Sequence, residues 1–269
     1  MIAHLEDRRV LRLSGDDVRG FMNGLVTNDI ARLAADRPLW AALLSAQGKY
    51  LADMILHDGH DAGIYIDVHV DRAEELAKRL MLYRLRRRIE IEPAELHVFA
   101  GWNEPGLPHG HDPRHAALGH RWLHSVGTVD ATTADWHTHR IALGIPDSPD
   151  FVVDGILWLE GNAAELNGVS FEKGCFVGQE NTARMNWRGK VRKRLLPVTM
   201  VAGPAADRSV LADGKVVGTL MSQAEMHGGD WRGIAHMRVE DAHKPLHIDG
   251  AAAEVDWPDW LPNEARVEA

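Results

Sequence analysis

The spacing of apolar positions sorts the first half of the chain into short strands and amphipathic helices. Arg9-Val-Leu-Arg-Leu13 alternates as a strand does, and Ser14-Gly-Asp-Asp17 then opens a helix whose Val18, Phe21, Met22 and Leu25 recur at helical spacing. Trp40 to Leu44 and Tyr50 to Leu56 are expected strands joined around Ala46-Gln47-Gly48. A turn at His57-Asp58-Gly59 leads on to Ile64-Tyr-Ile-Asp-Val68, completing an antiparallel meander. Asp71 and Glu74 predict a capping-box start for a helix with Ala73, Leu76, Ala77 and Leu80 on one face. Short strands at Glu90 to Glu92, Leu96 to Ala100 and Arg121 to His124 precede a helix from about Thr133 to Leu143, which Gly144-Ile-Pro146 stops.

The texture changes late in the chain. Leu195 to Val201, Ser209 to Leu220 and Ile234 to Val239 read as strands, and Asp213-Gly214 between apolar runs is a hairpin signal. Several short strands with little helix predict a small barrel, with a boundary near Gly189 to Arg194. No repeat, coiled coil, Walker loop or dinucleotide fingerprint interrupts this pattern.

Composition narrows the function classes. A chain of 269 residues with 45% hydrophobic content can bury real cores, and a net charge of −9 with pI near 5.9 argues against coating nucleic acid. The N-terminus is too polar for a signal peptide, and no apolar run approaches the ~20 residues of a membrane helix. A soluble cytoplasmic protein is expected, with neither membrane nor direct nucleic-acid partners. His109-Gly-His111-Asp-Pro-Arg-His115 looks metal-like, yet the prolines and glycines around it predict an exposed loop, and no metal site is assigned. Arg84-Leu-Arg86-Arg87-Arg88 reads as a solvated helix end suited to the dipole, or as a patch for phosphate-bearing partners.

The chain has one cysteine, Cys175, in Lys173-Gly174-Cys175-Phe176-Val177-Gly178-Gln179-Glu180. The glycines permit backbone angles or close approaches that a Cβ forbids, and Lys173 with a helix start at Gly178-Gln179-Glu180 would favour a thiolate. The two readings are a reactive or ligand thiol and a buried small hydrophobe. One cysteine excludes an internal disulfide and an all-cysteine zinc site, and any iron-sulfur cluster could take only one thiolate from each chain. Such a role would have to be shared with a partner, a second subunit, a small thiol or histidines.

These residues resemble a known family. Lys173 to Glu180 is similar to the signature of the YgfZ family of folate-binding proteins, relatives of the glycine-cleavage T-protein and of mitochondrial iron-sulfur assembly factors. Phe21-Met-Asn-Gly-Leu-Val-Thr-Asn-Asp29, Leu44-Ser-Ala-Gln-Gly-Lys-Tyr-Leu-Ala-Asp53 and Arg140 to Pro146 match further blocks in order, so the resemblance spans nearly the whole chain. It implies an α+β fold: two interleaved modules over 1–190 and a C-terminal β-barrel over 191–269, ringing a central channel that holds tetrahydrofolate or a one-carbon derivative. Glu160 would hold the pterin, as a carboxylate can accept two hydrogen bonds from an amino-pyrimidine edge. Asn28, Asp53, Gln179 and Arg184 are further cofactor-binding candidates, and Cys175 is the residue assigned to the chemistry. T-proteins carry two adjacent aspartates where this chain has Ala52-Asp53, so aminomethyl transfer is weakened if the replaced acid is the essential one. The function implied is support of iron-sulfur protein assembly or repair, with iron-sulfur clients or assembly proteins as partners and the chain a monomer or transient dimer. The alternative is a folate-dependent aminomethyltransferase or demethylase.

Overall fold

The computed structural model describes residues 1–104, 106–107, 109–188 and 191–266, with only the backbone at 188. After β1 (Ile2–His4), which joins a second sheet, β2 (Arg8–Gly15), β3 (Leu39–Leu44), β4 (Tyr50–Asp58), β5 (Ile64–His69) and β6 (Ile89–Pro93) assemble a five-stranded sheet in the order β3-β4-β5-β2-β6. That second sheet is three-stranded, β1-β7-β8, with β7 (His97–Gly101) and β8 (His120–His124). All described pairings in both sheets are antiparallel.

The larger sheet is buried on both faces, so strand alternation decides which core each side chain enters. Ala52, Met54, Leu56, Ile64, Ile66 and Val68 face a core beneath α1 (Val18–Asn23) and α2 (Val70–Tyr83). Trp40, Ala42, Leu44, Tyr50 and Ile55 face the other, which also receives Trp136 of α3 (Thr133–Ala142). The Asp17 carboxylate accepts from Gly20 N–H and caps α1 as its sequence suggests. Helix α2 is capped differently from expectation: the His69 imidazole, one strand residue earlier, accepts from Asp71 N–H, and Asp71 sits in the first turn instead of serving as the cap. Helix α3 ends in a Schellman arrangement, with Gly144 at φ 69, its N–H on Ile141 O, and Ile145 N–H on Arg140 O.

Helix α4 (Gln179–Arg188) leads to the barrel. Strands β9 (Lys193–Met200), β10 (Ser209–Ala212), β11 (Lys215–Glu225), β12 (Trp231–Arg238), β13 (Leu246–Ile248) and β14 (Ala251–Val255) close in the order β10-β11-β12-β9-β14-β13 around their own core. The expected hairpin at Asp213-Gly214 is present: both residues have positive φ, 52 and 73, and Ala212 pairs with Lys215 across them. Of the boundary segment predicted near Gly189 to Arg194, residues 189 and 190 lie outside the described residues, as do Pro105 and Pro108 of the histidine-rich loop. Among the described residues no helix is long and apolar enough to cross a membrane.

Candidate functional site

The cysteine loop is pinned at both sides of its thiol. Lys173 is 8% exposed, and its ammonium donates to three main-chain carbonyls at the end of α1 and in the segment after it: Asn23 at 2.5 Å, Val26 at 2.7 Å and Asn28 at 3.0 Å. Burial pulls this ammonium down to about 8, against the opposing pull of Asp29. The same nitrogen lies 5.2 Å from the centre of the Phe176 ring, which is buried in the main core. Between these two anchors Cys175 is exposed, which removes the small-hydrophobe reading. Lys173 spends its three N–H groups on carbonyls, so the expected service to the thiolate is not among its hydrogen bonds.

The loop ends on the β3–β4 turn. Gly178 has φ 83, and a Cβ there would lie 2.5 Å from Ser45 O and 3.1 Å from Gly48 Cα, so only glycine fits. Gly174 meets nothing within 4 Å, and its glycine is not demanded by contact. Asn181, in the first turn of α4, donates to Gln47 O at 2.6 Å and secures the docking. Gln179 is half-buried at the helix start, while Glu180 and Arg184 are exposed.

The other candidates lie in the interior. Asn28 donates to Trp40 O at 2.8 Å and Asn167 O at 2.7 Å, and its side-chain oxygen accepts from Asp29 N–H, so its amide ties loops together. It also lines a cleft of about 460 Å³ with Arg32, Arg37 and His111. Glu160 accepts from Leu157 N–H at 3.2 Å and pairs with His236 of β12 at 3.2 Å, linking this segment to the barrel. Both contacts use Oε2; among the described residues Oε1 takes no hydrogen bond. Asp53 shares the core face with Trp40 and Ile55, whereas Ala52 faces the helices. It accepts from Trp40 Nε1 at 3.0 Å, Tyr50 OH at 2.9 Å and Ser148 Oγ at 2.6 Å.

Sequence reasoning missed the group that continues from Ser148. Asp67 of β5 accepts from Arg8 Nε and from Arg121 Nε, both at 2.6 Å, and Asp147 pairs with Arg8 at 3.3 Å and Arg114 at 3.4 Å. Asp112 and Arg114 complete the cluster at 2.8 Å. The histidine-rich segment expected to be an exposed loop therefore carries two buried charges, because they reach in to neutralise Asp147 and Arg121. Burial works against the Asp67 carboxylate, but Arg121 and Arg8 outweigh it and hold it at about 2. Burial likewise opposes Asp147, and Arg114 and Arg8 hold it well below the usual range. Beside this cluster burial lowers His57 to about 4, and its buried Nε2 has no hydrogen-bond partner among the described residues. The available signal was alternation: Asp67 sits between Ile66 and Val68, which commits it to the sheet's opposite, equally buried face.

The resemblance implies that Glu160 holds the pterin ring and makes Asp53 a further cofactor-binding candidate. The fit fails at Asp53: the carboxylate is 1% exposed, and Trp40, Tyr50 and Trp158 beside it are wholly buried. What remains open to chemistry in the signature is the thiol.

Comparison with known proteins decides the family. The chain is 33% identical to the mitochondrial iron-sulfur cluster assembly factor IBA57 of Homo sapiens, with 97% of this chain and 85% of that protein aligned. The chain belongs to the IBA57 family. The Mus musculus protein is 31% identical over 97% of this chain and 86% of its own length. Residues 192–263 match the family model described as CAF17, C-terminal beta-barrel domain. An aminomethyltransferase T of the glycine cleavage system from Bartonella henselae superposes with a TM-score of 0.73 at 13% identity, covering 100% of this chain and 87% of that one. That likeness shows the α+β T-protein-like fold, and the family shown is the assembly-factor side of the resemblance. The IBA57 relatives are mitochondrial by name, which overturns the cytoplasmic expectation; polarity of the N-terminus spoke only to secretion.

Proposed function

We propose that this chain acts in the assembly or maturation of iron-sulfur proteins, as the named function of its IBA57 relatives suggests, with Cys175 as the working thiol. The observation that carries the reading is the placement of the chain's one thiol: exposed, on a loop fixed by the buried Lys173 and Phe176 and by the close docking of Gly178. A thiolate is the natural ligand for iron in a cluster, and a fixed loop offers it without the entropic cost of ordering a mobile one. One thiolate is one ligand, so the cluster is cargo held jointly with a partner or a small thiol. The partner is an assembly or client protein that brings the remaining ligands. No step is assigned to tetrahydrofolate.

The test is maturation of a [4Fe-4S] enzyme in cells depleted of this protein. Re-expression of the parent should restore the client's activity, and Cys175→Ser at equal abundance should not. Full restoration by the serine variant would remove the thiol from the function.

A further inference from the structure

The interior facing Asp53 holds a buried carboxylate with three hydrogen-bond donors and has the packing of a closed core. Of Ala52-Asp53, the retained aspartate is the one turned toward the core that holds Trp40 and Trp158, while Ala52 enters the core beneath α1 and α2. Strand alternation fixes the face each residue takes: Asp53 lies with Ile55, and Ala52 with Met54 and Leu56. The acid is present, but three donors from three positions, Trp40, Tyr50 and Ser148, already occupy it. A carboxylate offers about four lone-pair sites, so only one is left, and it is buried.

The space around it is equally committed. The Trp40 and Trp158 rings lie 4.7 Å apart, Tyr50 stacks on Phe151 at 4.7 Å, and Phe151 reaches Trp158 at 5.4 Å. Backbone closes behind them. A Cβ on Gly168 would lie 2.7 Å from Trp40 and 3.0 Å from Trp158, and one on Gly161 would lie 2.3 Å from Phe151. Rings backed directly by main chain have no neighbouring space into which to swing, and a close-packed interior has no slot for a bicyclic pterin. A proton-transferring acid must come within hydrogen-bond reach of the reacting nitrogen.

We infer that the interior facing Asp53 is closed to folate, and that Asp53 has become a structural lock joining β3, β4 and the Ser148 turn. The chain therefore has no accessible acid at this position for folate-dependent one-carbon transfer. This inference is independent of Cys175, so either can fail without the other.

The test is anaerobic calorimetric titration of the full chain with tetrahydrofolate up to millimolar concentration, on the parent, Asp53→Asn and Tyr50→Phe. The parent is expected to show no saturable binding, and binding of equal strength in parent and both variants would also uphold the closure by placing the ligand elsewhere. Saturable binding in the parent that either variant weakens roughly tenfold or more, the effect of losing a charge-assisted contact, would overturn it. Should both variants fail to fold, hydrogen exchange at the Trp40 indole N–H of the parent decides. Slow exchange unaltered by folate supports closure, and fast exchange or a folate-dependent change overturns it.

Discussion

Gly178 and Gly48 lie backbone to backbone, each with positive φ, where the cysteine loop meets the β3–β4 turn. A methyl group on Gly178 would need both a strained φ and a displacement of Ser45 O. Gly178→Ala is expected to destabilise the protein by roughly 1 to 3 kcal/mol. Gly174→Ala, in open space, should fall within about 0.5 kcal/mol of the parent. Urea unfolding of the two variants side by side checks the contrast.

Lys173 is the loop's inward anchor. Lys173→Met keeps the aliphatic stem and leaves three carbonyls without their donor, so a loss of roughly 2 to 3 kcal/mol is expected. The thiol should also be less firmly held. Faster reaction of Cys175 with a bulky thiol reagent, measured below the unfolding transition, would report that loosening.

The Asp67 pair with Arg8 and Arg121 is fully buried, so removing one partner strands the others. Asp67→Asn is expected to cost roughly 3 to 5 kcal/mol, read as a lower urea midpoint at unchanged slope. A loss below about 1 kcal/mol would mean that the cluster is not the electrostatic centre described above.

Acid should weaken the fold in two stages. His57 titrates near 4 in the folded chain and at its usual 6.5 when unfolded, so the unfolded chain binds more protons between those values. Stability falls as pH drops through that window, by up to roughly 3 kcal/mol. Asp67, held at about 2 against the usual 3.8, withdraws its share only as pH falls further, from 3.8 toward 2. Burial also lowers His4, His109 and His139, so unfolding free energies measured at steps from pH 7 to pH 3 should show a smaller first stage in His57→Gln than in the parent.

The elements were legible because their signals are local. The alternation of Ile64 to Val68, the Asp213-Gly214 turn and the glycine after α3 each depend on a few neighbouring residues, and each is present in the structure. The cysteine loop was legible as a motif, but its exposure was not, since that depends on Lys173 finding carbonyls some 150 positions away in sequence. The charge cluster was hidden for the same reason. Arg8, Asp67, Arg114 and Asp147 come from four separate segments, and a charged residue in a short strand looks solvent-facing until the second buried face of the sheet is known. The cap of α2 was misplaced because an acidic pair at helical spacing outweighed, on paper, the histidine that the strand actually delivers.

An exposed cysteine without a second one in the chain also limits what oxidation can do in the test tube. Two copies can join sulfur to sulfur and then have no thiol left to exchange, so disulfide crosslinking in air stops at a covalent pair that a reductant dissolves. Larger crosslinked species in a stored sample would have to come from some other chemistry.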